Sequence, residues 1–267
     1  MNVEFAQGPF LNAHSQIVSG SGLEASEIMT LRESRPEFGN SWAWTNNFSM
    51  YRVEQDEAFL YFTGREHNLG FRDIQDFTSQ LREAGNYVPS QEGIQEVVGA
   101  ASSGKALKIK ISDLQLQKHN RNDEYGFFDV DPDNLDLLNS AQKQFVQVIY
   151  GNSRPGNRVY VLDSQYVKKT LKDKEDSAIA RASWLGGADY GSWFVAGGRD
   201  VGIANVGLLG VLKEAPQAPQ KIEVDPYSQA YDALLANPQE ALRRLTPERA
   251  TGLSTLLTSY LANLPKA

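Results

Sequence analysis

The residues of this chain that could do chemistry are few and scattered. Gly99-Ala100-Ala101-Ser102-Ser103-Gly104-Lys105-Ala106 follows the GxxxxGK pattern of a phosphate-cradling loop, but Ala106 stands where Ser or Thr would hold magnesium. The flanking elements are also in the wrong order. A helical pattern precedes the motif and a strand pattern follows it, so phosphate would meet no helix N-terminus. Asp129, Asp131, Asp133 and Asp136 begin like a calcium loop, yet the sixth position is Asn134 rather than Gly and the twelfth is Ser140 rather than Glu. Helix capping and a solvated turn account for them better. His14, His67 and His119 share no metal-ligand spacing. Glu66 with His67, and Glu54 with Asp56, have the groups of a general acid–base pair, but nothing orders them into a site. There is no GxSxG elbow and no HExxH helix. The chain has no cysteine, which excludes disulfides, thiolate metal sites and a cysteine nucleophile. The expectation is a protein that is not an enzyme and uses no metal or cofactor.

What stands out is composition. From Gly186 to Gly207, 22 residues contain no Lys, Glu, Gln, Met or Pro, and seven of them are Gly. That many glycines weaken helices and strands alike. Apolar anchors bound and interrupt the stretch: Trp184 and Leu185 before it, Trp193, Phe194 and Val201 within, Leu208 and Val211 after. Anchors with small or polar residues between them suggest a loop-rich surface pinned to a core, which is where binding tends to sit.

The remaining sequence must position that stretch. At 267 residues the chain can bury a full core, as one domain with extensions or as two. Residues 1–40 give few signals beyond a short helix over Ala25–Arg32. Trp42 and Trp44 sit at strand spacing, and Ser49–Val53 and Glu57–Phe62 read as strands joined at Gln55-Asp56 without the usual Gly. Phe71–Ala84 has helical periodicity ending at Gly85. Ser90 caps a second helix to about Ala101. Lys105–Ile111 alternates as a half-buried strand. Lys118–Asp123 is a polar loop, and Asn139–Tyr150 is a helix closed by Gly151. Arg158–Leu162 is a strand, Gln165–Leu171 a short basic helix, and Ala178–Leu185 a strand. The mixture lacks a βαβ rhythm, so the expected class is α+β. After Val211, Pro216 and Pro219 mark a linker. A helical tail follows, with Thr246 and Pro247 starting a helix whose stripe is Leu253, Leu256, Leu257, Tyr260 and Leu264. That stripe must cover the main domain or another subunit.

Arg181-Ala182-Ser183-Trp184-Leu185, then Ser192-Trp193-Phe194-Val195-Ala196-Gly197-Gly198-Arg199-Asp200-Val201, then Leu208-Leu209-Gly210-Val211, resembles the variable region of diversity-generating retroelement target proteins. The resemblance implies a C-type lectin fold of the formylglycine-generating-enzyme type, here over residues 41–215, with 1–40 as an N-terminal segment and 216–267 as linker and helical tail. In that family a reverse transcriptase miscopies adenines, usually in AAC codons. Positions so randomised cannot become Lys, Glu, Gln, Met or Trp. The twelve positions between the anchors obey this: Gly186, Gly187, Asp189, Tyr190, Val195, Gly197, Gly198, Asp200, Gly202, Ile203, Ala204 and Asn205. Trp193 cannot arise from AAC and is a fixed or separately encoded contact residue. Carried over, these thirteen are the ligand-binding surface, and Trp184, Phe194 and Val201 are scaffold. Two features depart from the pattern. Leu209 stands where the family often has Arg, and the chain runs on for about fifty residues past a region that usually lies near the C-terminus.

The expected function is a ligand-binding display scaffold, with proteins as the expected ligands. The alternatives are a formylglycine-generating-type enzyme homologue, whose copper-binding cysteine pair is missing here, and a fixed carbohydrate-binding lectin-like domain, whose Glu-Pro-Asn or Gln-Pro-Asp signature is absent. A net charge of −7 argues against nucleic acid. No apolar run is long enough for membrane insertion, and no signal peptide is visible, so the default expectation is cytoplasmic.

Overall fold

The computed structural model describes residues 3–7, 10–18, 21–39, 41–119, 123–172, 174, 176–187, 193–198 and 206–211. All of them fall in the first of two units, Met1–Lys213; the second, Glu214–Ala267, with the expected linker and helical tail, lies outside the described residues. The strands are β1 (Glu4–Gln7), β2 (Trp42–Glu54), β3 (Glu57–Thr63), β4 (Ala106–Lys110), β5 (Gln117–Lys118), β6 (Tyr125–Asp129), β7 (Arg158–Leu162), β8 (Ala178–Leu185), β9 (Phe194–Gly198) and β10 (Val206–Gly210). The helices are α1 (Phe10–Gln16), α2 (Ala25–Ser34), α3 (Leu69–Arg72), α4 (Ile74–Ala84), α5 (Gln91–Ser102), α6 (Ser140–Tyr150) and α7 (Ser164–Thr170). The class is α+β, as expected.

Local chemistry sets most of the boundaries. Ser90 accepts a hydrogen bond from the Gly93 N–H at the start of α5, and Asn139 and Gln142 form a reciprocal capping box on α6. The predicted helix over Phe71–Ala84 is in fact two. Asp73 breaks it and caps α4 by accepting from the Asp76 N–H, and Gly85 closes α4 with φ 73°. The β2–β3 hairpin turns on Gln55 (φ 48°) and Asp56 (φ 63°), so both connecting residues take the left-handed conformation that a two-residue turn demands, without glycine.

The sheet runs β1-β10-β2-β8-β9-β7-β6-β5, with β3 also on β2 and β4 on β3. β2 is its axis. One edge of β2 pairs throughout with β8; the other pairs with β10 over Trp42–Trp44 and with β3 over Phe48–Glu54. The register slips at the fork, between Thr45 and Phe48, and two buried asparagines fill it. Asn46 donates to the Gly22 carbonyl (3.1 Å) and accepts from Asn68 (3.1 Å). Asn47 accepts from the Ala25 N–H (2.7 Å) and donates to the Thr63 carbonyl (3.2 Å). Side-chain amides thus satisfy backbone groups of the loop before α2, the first turn of α2 and the end of β3.

Each face of the sheet has its own core. On one, α2, α6 and α7 pack Ile28, Phe145, Ile149 and Val167 against Tyr51, Phe62, Val159, Leu185, Phe194 and Leu209. On the other, α1 and α3–α5 pack Phe10, Leu69, Phe77 and Ile94 against Trp44, Met50, Ala180 and Leu208. The N-terminal segment is built into the same sheet and cores. β1 is hydrogen-bonded to β10, and α1 and α2 each close one core. A four-residue strand pairing with one about 200 residues away leaves no local sequence signal. Replacing Asn47 by Ala strands the Ala25 N–H and the Thr63 carbonyl in the interior; a loss of about 1–3 kcal/mol is expected in chemical denaturation.

Candidate functional site

The candidate site is built on β8, β9 and β10. Strand β8 carries Arg181, whose side chain is fully buried. Its Nε donates to Asn86 Oδ1 (2.8 Å), Nη2 to the Tyr166 hydroxyl (2.7 Å), and Nη1 to the Tyr125 hydroxyl (2.9 Å) and Glu124 Oε2 (3.1 Å). Nη1 also reaches the Gly197 carbonyl at 3.4 Å, and the Tyr125 hydroxyl donates to that carbonyl at 2.8 Å. The buried charge thus has an anionic partner and an acceptor at each of its three nitrogens, which offsets the cost of a guanidinium in the interior. One link further on, the Tyr51 hydroxyl donates to the Ala196 carbonyl (2.7 Å), and burial pushes that phenol well above its ordinary pKa. The Ser49 and Ser183 hydroxyls bond at 2.7 Å across β2 and β8.

The segment between β8 and β9 is closed at its base. The Gly186 N–H donates to the Trp193 carbonyl (2.7 Å). Arg32 of α2 donates to the Gly186 carbonyl (2.8 Å) and to the Ser41 carbonyl, tying the end of β8 to the start of β2. Arg32 is buried, and desolvation lowers its pKa to about 10. Its partners are neutral carbonyls, so its orientation depends on them.

Strand β9 tolerates little variation. Gly197 has φ 102°, a region hostile to other L residues, and a Cβ on Gly198 would run into the indole of Trp184, 2.6 Å from Cδ1. Trp184 in turn stacks on Trp42, with ring centroids 4.9 Å apart. Val195 is 7 % exposed, paired with Tyr160 on β7 and Trp184 on β8. The thirteen residues expected at the ligand surface therefore separate. Gly186, Gly187, Val195, Gly197 and Gly198 are buried, and Trp193 is half-buried beside Tyr160, centroids 5.7 Å apart. Asp189, Tyr190, Asp200, Gly202, Ile203, Ala204 and Asn205 lie outside the described residues, as does Val201. The reading of Gly186–Gly207 as loop-rich is corrected where β9 and β10 form. There the glycines let neighbouring strands and the Trp184 ring approach closely.

Sequence reasoning missed an aromatic row. Phe127, Tyr160, Val195, Trp184 and Trp44 are register partners across five adjacent strands and so share one face. Trp44 is buried, whereas Trp184, Tyr160 and Phe127 are half-buried. His119 packs on Tyr160 at 5.9 Å, and the Arg158 guanidinium lies over Phe127 at 4.2 Å. Trp193 thus belongs to a larger aromatic surface. The alternation in Arg158–Leu162 held the clue to Tyr160; Tyr125–Asp129 was obscured by the acidic residues after it.

The other candidates have structural roles. Gly99 lies within α5 and Gly104 (φ 74°) follows its end, so a strand leaves the GxxxxGK motif. Asp129 pairs with Arg158, Asp133 with Arg154 and Asp136 with Lys143, while Asp131 accepts from the Asp133 N–H. Among the described residues no acidic or histidine group is arranged to hold a metal. Glu54 is bonded to Lys108 and Tyr61. His67 bonds Glu96 at 2.9 Å, and the Arg72 guanidinium, together with His67, holds Glu96 down to about 2, too low to supply a proton near neutrality.

Two substitutions test this framework. Gly198→Ala must displace Trp184 and should cost about 1–3 kcal/mol. Arg181→Met leaves Glu124 and four polar groups without their cation and should cost about 3–5 kcal/mol. Both are read in denaturant melts, and a neutral Gly198→Ala would contradict the packing described.

No protein-family model matches the chain, and no curated protein is similar to it. Among solved structures, one described as "Accommodation of massive sequence variation in Nanoarchaeota by the C-type lectin fold" is similar, with TM-score 0.43 and 9 % identity, over 79 % of this chain and 97 % of that chain.

Proposed function

We propose that this chain is a ligand-binding scaffold with a C-type lectin-like domain, whose ligand surface is diversified by a retroelement. The observation that carries the reading is the way the framework is fixed. The backbone just after β8 and the end of β9 are held by Arg32, Tyr51, Tyr125 and Arg181, and β10 by its pairing with β1 and β2; none of these lies in segments 188–192 or 199–205. None of those bonds depends on a side chain between the anchors. On this reading Asp189, Tyr190, Asp200, Gly202, Ile203, Ala204 and Asn205 carry the diversity that meets ligand, while Gly186, Gly187, Val195, Gly197 and Gly198 are buried. Trp193, next to Tyr160, which in turn packs on Phe127, supplies a constant aromatic margin. Aromatic residues dominate protein–protein contacts, so proteins are the favoured ligand class.

The five buried positions also suit a second reading, a fixed lectin-like domain with constant Gly-rich strands. The DNA around the gene separates the two. Diversification requires a near-copy of the codons for 181–211 that differs almost only at adenines, beside a reverse-transcriptase gene; an intact locus without one leaves the fixed domain. At the protein level, substituting Asp189, Tyr190 and Asp200 should alter ligand choice while changing stability by less than about 0.5 kcal/mol each. A large drop in melting temperature at all three would mean that these side chains belong to the core.

A further inference from the structure

Strand β4 lies at an edge of the sheet. Among the described residues it pairs with β3 alone, and no other backbone group bonds residues 106–109. Every second residue of such a strand turns its N–H and C=O outward, which makes a template for another strand. Folded chains blunt their edges with proline, a bulge, a cover or exposed lysines. β4 reads Ala-Leu-Lys-Ile-Lys, without proline, and its register with β3 is unbroken. Its lysines reach away from the edge. Lys108 Nζ lies over the Phe59 ring on β3 (4.4 Å) and bonds Glu54 on β2 (2.6 Å), and Lys110 bonds Glu57 on β3 (2.9 Å). Both ammonium groups are drawn back across the sheet, so they do not guard the outward backbone.

A groove of about 660 Å³ adjoins this strand. It is lined by residues 104–108, by Gln144 and Val148 of α6 and by residues 64–67, among others, so its lining is mixed. Val148 is 41 % exposed there. Leu107 and Ile109 join the core on the α6 face, and Lys108 and Lys110 alternate to the opposite face. Carboxylates are in short supply on that face. Glu54 is shared by Lys108 and Arg52 (3.9 Å), and Glu57 by Lys110 and Lys168 (3.7 Å). Lys105 has no ion pair among the described residues. Charge also disfavours a second copy of the chain, because pairing β4 with itself over its full length sets Lys108 opposite Lys108.

We propose that β4 is a docking edge for an extended acidic peptide of another protein, which joins the sheet as a further strand. Main-chain bonds to β4 hold the peptide, and its alternate side chains read the two faces. Apolar ones lie beside Leu107 and Val148, and acidic ones beside Lys108 and Lys110. The contact uses none of the residues assigned to the ligand surface.

The test uses the full chain and a short peptide alternating Glu and Val, blocked at both ends and titrated to about 1 mM. Saturable binding is expected, with the outward amides of residues 106–110 protected from hydrogen exchange at least about tenfold in NMR spectra. Two further peptides are methylated at alternate backbone nitrogens, one in each frame. The one whose methyl groups face β4 should fail to bind, and the other should bind. Val148→Asp should weaken binding about tenfold by opposing the acidic peptide, and at this exposed position it should melt like the parent. A peptide alternating Lys and Val should bind at least about tenfold less well. No binding across the titration would overturn the proposal. So would protection confined to other strands, equal behaviour of the two methylated peptides, or equal binding of the Lys peptide. Protection of β4 that rises with protein concentration in the absence of peptide would overturn it in favour of a second copy.

Discussion

Arg181 places a full positive charge inside the sheet, and the surrounding structure is arranged to satisfy it. Its three nitrogens are met from four places in the chain: Nε by Asn86 after α4, Nη1 by Glu124 and Tyr125 at the start of β6 and by the Gly197 carbonyl on β9, and Nη2 by Tyr166 on α7. Burying a guanidinium is costly unless each donor finds an acceptor. Once all are met, no one of these elements can shift without stranding charge. The interaction therefore sets the relative positions of β6, β8, β9 and α7, and with them the point at which the chain leaves β9.

That constraint explains how a strand as poor in side chains as β9 keeps its place. Phe-Val-Ala-Gly-Gly has little to pack with at its end. Tyr51 and Tyr125 instead hold the carbonyls of Ala196 and Gly197, and the missing side chain of Gly198 makes room for Trp184. Stability comes from neighbours reaching into the strand. Arg32 does the same at the other end, where its guanidinium joins the carbonyls of Gly186 and Ser41. Both segments proposed to carry the ligand surface start from backbone that is fixed by residues distant in sequence.

The fork of β2 is the complementary device. A thirteen-residue strand pairs with β10 and β3 on one edge and slips register against β8 on the other, between Thr45 and Phe48. Asn46 and Asn47, at the slip, tie it to the loop before α2, the start of α2 and the end of β3. The fork lets β10 lie beside Trp42–Trp44, while β3 and β4 extend the sheet from the other half of β2. The sheet therefore has a long tryptophan-lined face that is covered by helices at β2 and β8 and half-open at β7 and β6.

Elements with strong local signals were legible without coordinates. Alternation gave β4, β-rich composition gave β7, caps and terminal glycines gave α4, α5 and α6, and the absence of cysteine and of ordered catalytic spacings was plain. The Arg181–Leu185 and Leu208–Val211 segments were recognised as fixed anchors around a compositionally distinct stretch. Local pattern could not place the pairing of β1 with β10, the strand nature of Phe194–Gly198, or the role of Gly197 and Gly198. Each depends on a partner far away in the chain: a strand edge about 200 residues off, a tyrosine on β2, an indole on β8. The sequence by itself determined which segments are helical, which alternate and where the chain is anchored, because those properties follow from spacing and capping within one element. Only the tertiary structure decided which glycines are buried and which aromatic side chains share an open face, because burial is a property of what packs on a residue from elsewhere.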